Sequence, residues 1–284
     1  MSTPSVSRDF TQAVFDYLEQ QGFPADAVLA CAGPAPTSLL PAGRVPLQYY
    51  ERLFEAGEQL TGDRYFGLNM GACPWPRSWG LVSHLAVAAP DAMMAVSALM
   101  DYSELQLNFL RFRLRELEKG HMCVELQHDG VPRLKRHVVE HLLANIVTLA
   151  TTQIGYQLPE LSIELAHGDA NDAAHLAEVL NADVSFDCPA YRLESSRAFG
   201  EQQGRFGEED LYRVTEELAR QRLMTLRGED RFLNKVRATV LQQLPCGLPK
   251  VEEVARSLDS SARTLQRRLQ ERNLRFQQVL DEVR

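Results

Sequence analysis

Arg263, Gln266 and Arg267 lie within Ser261-Ala-Arg-Thr-Leu-Gln-Arg-Arg-Leu-Gln-Glu-Arg272. If this stretch is helical, steps of about 100° per residue carry these three and Gln270 to one side, and Leu265 and Leu269 to the other. The outer side then has the chemistry of base recognition. A guanidinium can fork onto O6 and N7 of guanine, and a carboxamide onto N6 and N7 of adenine. Arg268 and Arg272 lie off the centre of that face and Lys250 lies upstream. With the Ser261 hydroxyl, they suit phosphate oxygens, which fix position without carrying sequence.

A second chemical pattern is His137-Val-Val-Glu-His141, an H-x-x-E-H spacing. Histidines four apart on a helix can share one metal, with the glutamate beside them as base. The same residues also make an ordinary, partly solvated helix face, and no downstream motif supplies a third ligand. No catalytic residue, metal or cofactor is therefore expected, and a zinc-dependent hydrolase using His137, Glu140 and His141 is the alternative reading. No G-x-S-x-G elbow, P-loop or G-x-G-x-x-G fingerprint occurs, so covalent hydrolase, nucleotide and dinucleotide chemistry lack a local basis.

Positioning the base-facing side chains requires two short helices. Val251, Val254, Ala255 and Leu258 form one apolar stripe, Asp259-Ser260-Ser261 supplies turn chemistry, and Ser261 is the expected N-cap. Charge supports a polyanionic partner. From Arg263 to Arg275 five arginines face one glutamate, net +4, in a chain of net charge −8. From Glu229 onward there are eleven Lys/Arg against eight Asp/Glu, which leaves 19 against 30 before it. An acidic body with a basic tail confines DNA contact to the tail.

Val254-Ala-x-x-Leu258, Ser261-x-Arg-Thr-Leu-Gln-Arg-Arg-Leu269 and Phe276-Gln-x-x-Leu280 together resemble the first helix-turn-helix of AraC/XylS-type bacterial transcription regulators. The resemblance places the base-reading positions on Arg263, Gln266 and Arg267. Ala262 stands where the family often has proline, and the chain stops at Arg284, where the family continues into a second helix-turn-helix. Truncation after the first motif is the expectation. Thr61-Gly-Asp-x-x-Phe-Gly-Leu68 resembles a run in the arabinose-binding-like effector domain of one AraC subgroup.

The rest of the chain predicts an α+β N-terminal domain, mostly helical with a small antiparallel sheet, followed by an all-α helix-turn-helix unit. Helices are expected at residues 10–21, 47–60, 90–102, 133–155 and 172–180, and a loop over 31–46. Arg111, Arg113 and Arg115 alternate with Phe112 and Leu114, and Met122, Val124 and Leu126 alternate in turn, which makes a hairpin turning at Lys119-Gly120. Strands follow near 161–166, 184–187 and 191–193. A helix over 208–227 is expected to end at Gly228, with another over 231–244, so the boundary is set there: residues 1–227 for effector binding and dimerisation, 228–284 for DNA. Leu211 and Leu218 on the first of these helices are the candidate dimer contacts.

Trp75, Trp79 and Arg111 are the candidate effector pocket, the tryptophans between prolines and a glycine, the arginine as an anchor for an anion. Five cysteines, widely spaced and never as C-x-x-C, indicate reduced thiols in a cytoplasmic protein. The apolar run Leu81–Met100 is interrupted by His84, Pro90 and Asp91, and the N-terminus has no signal-peptide pattern, so no membrane partner is expected. The expected partners are double-stranded operator DNA, a small-molecule effector, a second copy, and RNA polymerase if the protein activates. An effector-free protein-interaction module is the remaining alternative.

Overall fold

Apolar residues at helical spacing build most of the fold, and the computed structural model describes residues 3–36, 43–74, 79–117, 120–128, 131, 134–168, 173–244, 248–272 and 274–283. Strand β1 (Ser5–Val6) pairs antiparallel with β2 (Val45–Pro46). Between them, α1 (Arg8–Gln20) buries Phe10, Val14 and Leu18 at i, i+4 and i+8. It is followed by α2 (Ala25–Ala32), which occupies the start of the expected loop because Val28 and Ala32 bury against the core. Helix α3 (Leu47–Thr61) stops at Gly62, which is left-handed at φ 68°.

The Thr-Gly-Asp-x-x-Phe-Gly-Leu run is a corner between helices. Asp63 accepts from Tyr65 N and Asn69 Nδ2, both at 2.8 Å, opening α4 (Phe66–Ala72). Glycines 67 and 71 then let α4 cross closely over α7 (Arg136–Thr148), since a Cβ on either would lie 2.3 or 2.5 Å from the carbonyl oxygens of His137 and His141. Helix α5 (Leu81–Ala88) precedes α6 (Ala92–Tyr102), whose N-cap Asp91 accepts from Met94 N at 2.8 Å.

The hairpin is β3 (Leu110–Glu116) with β4 (Met122–His128), and the alternation has its expected cause: Leu110 and Phe112 are buried, Arg111, Arg113 and Arg115 exposed. With β5 (Ser162–Glu164), β6 (Asp183–Ser185) and β7 (Tyr191–Ser195) the sheet has the order β3-β4-β7-β5-β6. It is antiparallel except for β5 and β6, which run parallel because α8 (Ala173–Leu180) crosses between them. After α7 the chain makes a π-helical turn, Leu149–Ile154, ended by left-handed Gly155.

The helix expected to end at Gly228 does not end there. α9 runs unbroken from Glu209 to Gln243, 35 residues. Glycine costs a helix only about 1 kcal/mol relative to alanine, and here both flanks are held by packing. Tyr212, Ala219, Leu223 and Leu226 belong to one apolar core, Phe232, Leu233, Val236 and Val240 to a second. The second core is completed by α10 (Val251–Ser257), α11 (Ala262–Gln270) and α12 (Phe276–Val283).

Candidate nucleic-acid interface

The site is built on α10, α11 and the turn between them. Val254, Ala255, Leu265 and Leu269 are all 1 % exposed or less, and α10 packs against α11. The turn closes by backbone geometry. Asp259 takes φ 50°, while Asp259 N donates to Arg256 O at 3.2 Å and Ser260 N to Ala255 O at 2.9 Å, a Schellman-type end with aspartate in the place usually held by glycine. Ser261 caps α11 as expected: its Oγ accepts from Thr264 N at 3.1 Å and lies 2.8 Å from Thr264 Oγ1. At α10, Lys250 N donates to Glu253 Oε2 at 2.9 Å.

With both leucines buried, Arg263, Gln266, Arg267 and Gln270 all stand exposed on the far side of α11. Arg267 is engaged there by Glu271, Nη1 to Oε1 at 2.6 Å, one turn on. The residues assigned to phosphates divide into two groups. Lys250 and Arg268 are exposed, and the Ser261 hydroxyl is occupied by its cap. Arg272 is different: its side chain is 14 % exposed, its guanidinium carbon lies 5.0 Å from the Phe232 ring centroid, and its Nη1 donates to Arg268 O at 2.7 Å. Arg268 stacks on the same ring at 4.0 Å. The flat, weakly hydrated guanidinium lies well on an aromatic face, so Arg272 seals the seam between α9 and α11. The sequence has no periodic signal linking residues 40 apart, so the Phe232 stack was missed.

Of the candidate effector-pocket residues, Trp79 and Arg111 are not brought together. Trp79 is fully buried, edge-on to Phe10 at 5.3 Å and tilted against Phe112 at 6.0 Å, because a large apolar ring gains more in the core than in a solvated cleft. Arg111 lies on the outer face of β3, 3.7 Å from Glu104. Trp75 lies outside the described residues. Leu211 and Leu218 are exposed on α9, at 49 % and 41 %.

The H-x-x-E-H side chains point to different partners. His137 Nε2 lies 2.9 Å from Glu58 Oε2. Glu140 accepts from Arg136 Nε at 2.8 Å and lies 3.4 Å from His167 Nε2. His141 is enclosed by Phe10 and Phe54 in the core. Three groups dispersed in this way have no common centre for a metal, and the hydrolase reading has no support.

Known proteins resemble the chain over most of its length. The family described as the arabinose-binding domain of AraC transcription regulators, N-terminal, matches residues 22–203. Over 278 residues the chain is 25 % identical to the ornithine utilization regulator of Pseudomonas aeruginosa, covering 97 % of this chain and 81 % of that protein. The crystal structure of the transcriptional regulator CdpR from Pseudomonas aeruginosa matches with TM-score 0.49 and 18 % identity, covering 95 % of this chain and 82 % of that one. Among the described residues no helix is long and apolar enough to cross a membrane. The chain thus belongs to the AraC family of transcription regulators, and residues 22–203 carry its arabinose-binding-type N-terminal domain.

Proposed function

We propose that this DNA-binding regulator reads its operator through Arg263, Gln266 and Arg267, with Lys250 and Arg268 on phosphates. The observation that supports this most directly is the division of α11: Leu265 and Leu269 closed in the second core, the three polar side chains exposed opposite them. Such a helix can enter a major groove without disturbing the core that holds it. Ser261 and Arg272 act on position instead, one by capping the helix and the other by fastening it to α9.

The reading divides the chain near Gly228 into a sensing and dimerising part, 1–227, and a DNA-binding part, 228–284. The first responds to a small molecule, and a second copy docks on Leu211 and Leu218. RNA polymerase joins as a partner if the protein raises transcription. The relative from Pseudomonas aeruginosa is named for ornithine utilization.

Selection of bound sites from random DNA, followed by binding measurements at fixed salt, tests the base readers. Arg267→Ala is expected to lose about 1–3 kcal/mol on the selected site and to relax one base position. Lys250→Ala is expected to weaken every sequence alike and to flatten the salt dependence by about one charge. Equal losses on all sequences for both variants would refute the assignment.

A further inference from the structure

A cleft of about 440 Å³ lies between the N-terminal body and the middle of α9, a size within the ~300–1,000 Å³ usual for small-molecule sites. Leu218, Gln221, Arg222 and Thr225 form its α9 side, at the helical spacing i, i+3, i+4 and i+7. The body supplies Ser7, Asp9, Arg44, Leu105 and Gln106. Next to Leu105, Glu104 accepts from Arg227 Nη2 at 2.8 Å and fastens α9 to the turn Ser103–Leu105. Leu218 belongs also to the face proposed for the second copy, so the cleft begins where that face ends.

Some polar groups of the cleft are already engaged. Ser7 Oγ donates to Gln106 Oε1, Gln221 Nε2 to Glu217 Oε1 at 2.8 Å, and Thr225 Oγ1 to Gln221 O at 3.0 Å. Three others have capacity left. Gln106 is 3 % exposed, and the part that solvent reaches includes Nε2, which has no hydrogen-bond partner among the described residues. Asp9 and Arg222 are exposed and, among the described residues, have neither a hydrogen bond nor an ion pair on their side chains. Asp9 Oδ2 and Gln106 Nε2 stand side by side, 2.7 and 2.8 Å from the point that a Cβ on Gly80 would occupy. Arg44, 4 % exposed, adds a fixed positive charge to the floor, held by the Ser5 hydroxyl and the carbonyls of Ser5, Leu105 and Gln106.

A carboxylate oxygen beside an amide N–H matches a molecule whose ammonium and carboxylate are neighbours. Asp9 accepts from the ammonium, Gln106 Nε2 donates to the carboxylate, and the guanidinium of Arg222 with the charge of Arg44 answers its negative charge. Leu81, Leu105, Leu218 and Leu226 suit a short apolar side chain in place of a third charged group. We propose that this cleft binds a free α-amino acid with a short aliphatic side chain, held by Asp9 and Gln106 on the body and by Arg222 on α9. Touching both walls, the ligand ties the body to the helix that carries the DNA-binding unit. Calling that molecule the effector rests on the reading above that residues 1–227 sense a small molecule.

The test is thermal unfolding of the full chain with L-norvaline, pentanoate, pentylamine and arabinose at matched ionic strength. L-Norvaline is expected to raise Tm by about 3–6 °C at roughly tenfold excess over its Kd. Pentanoate and pentylamine each lack one of the two charges and should bind at least about tenfold more weakly. Asp9→Asn and Arg222→Gln should each weaken L-norvaline binding roughly tenfold, whereas Arg220→Gln, on α9 outside the cleft, should leave it unchanged. Asp9 and Arg222 are exposed, so neither variant removes a buried contact. Absence of an L-norvaline response overturns the cleft assignment, as does a response that either variant leaves intact. Equal binding of L-norvaline and pentanoate overturns the ligand class. An arabinose response that survives both variants, with none from L-norvaline, sinks this site and its ligand but leaves small-molecule sensing in place. An L-norvaline response that both variants weaken supports the site, and unchanged operator affinity in its presence would then count against sensing alone.

Discussion

The individual side chains of this protein are placed by the cost of leaving them elsewhere. His141, one of the pair that could have held a metal, sits fully enclosed beside Phe10 and Phe54, and burial pushes its pKa down from 6.5 to about 4. The folded chain therefore keeps the ring neutral where the unfolded chain protonates it. Stability supplied in this way is complete above the unfolded value of 6.5 and is lost as pH falls toward the folded value of about 4. The steepest slope is about 1.4 kcal/mol per pH unit for one such group. Urea midpoints measured at pH 7 and pH 5 should differ by less in His141→Leu than in the parent chain. An undiminished difference would assign the acid sensitivity to another group. The same logic places Trp79 in the core and Arg272 on Phe232. Each has a large flat surface that gains by leaving water, whatever its polar end could otherwise do.

At the level of elements, the sequence disclosed most about α11 and least about α9. Cap, leucine spacing and outward arginines all recur within one short helix, so every signal needed to orient it is local. α9 is decided otherwise: Gly228 is an exposed residue inside a helix, and what carries the helix across it is packing at both ends, with Arg227 donating to Glu104 Oε2 at 3.1 and 2.8 Å just before it. A Cβ added at Gly228 would meet no atom within 4 Å. Gly228→Ala is thus expected to stabilise the protein by about 0.5–1 kcal/mol, through helix propensity and a less flexible unfolded chain. Chemical denaturation would register this as a raised midpoint at unchanged slope, and a lowered midpoint would mean that the glycine is needed for a bend.

For the whole molecule, α9 is the structural link between two cores. α5 and α6 pack against α9, which then supplies Phe232, Leu233, Val236 and Val240 to the unit that presents α11. Its outer side carries Leu211, Val214 and Leu218 at 49 %, 71 % and 41 % exposure, the apolar stripe proposed above as the dimer contact. Two-fold pairing on this stripe, as proposed above, would match an operator made of repeated half-sites. Leu211→Glu combined with Leu218→Glu should convert dimers to monomers in light scattering and lower operator affinity. An unchanged mass would remove the dimer helix from the scheme.

What the sequence determined by itself was whatever repeats at short range: the capped helix α11 with its buried leucines, the alternating hairpin, the charge contrast between body and tail, and the family motif that Gly62, Asp63 and Gly67 turn into a helix corner. Only the tertiary structure decided which partners lie far apart along the chain. It sent His137, Glu140 and His141 to separate neighbours, closed Trp79 into the core, laid Arg272 on Phe232, drew α9 straight through Gly228, and set Arg222 across a cleft from Asp9 and Gln106. Local periodicity reports which face of an element is apolar, whereas the choice of what that face meets is settled by packing among all the elements at once.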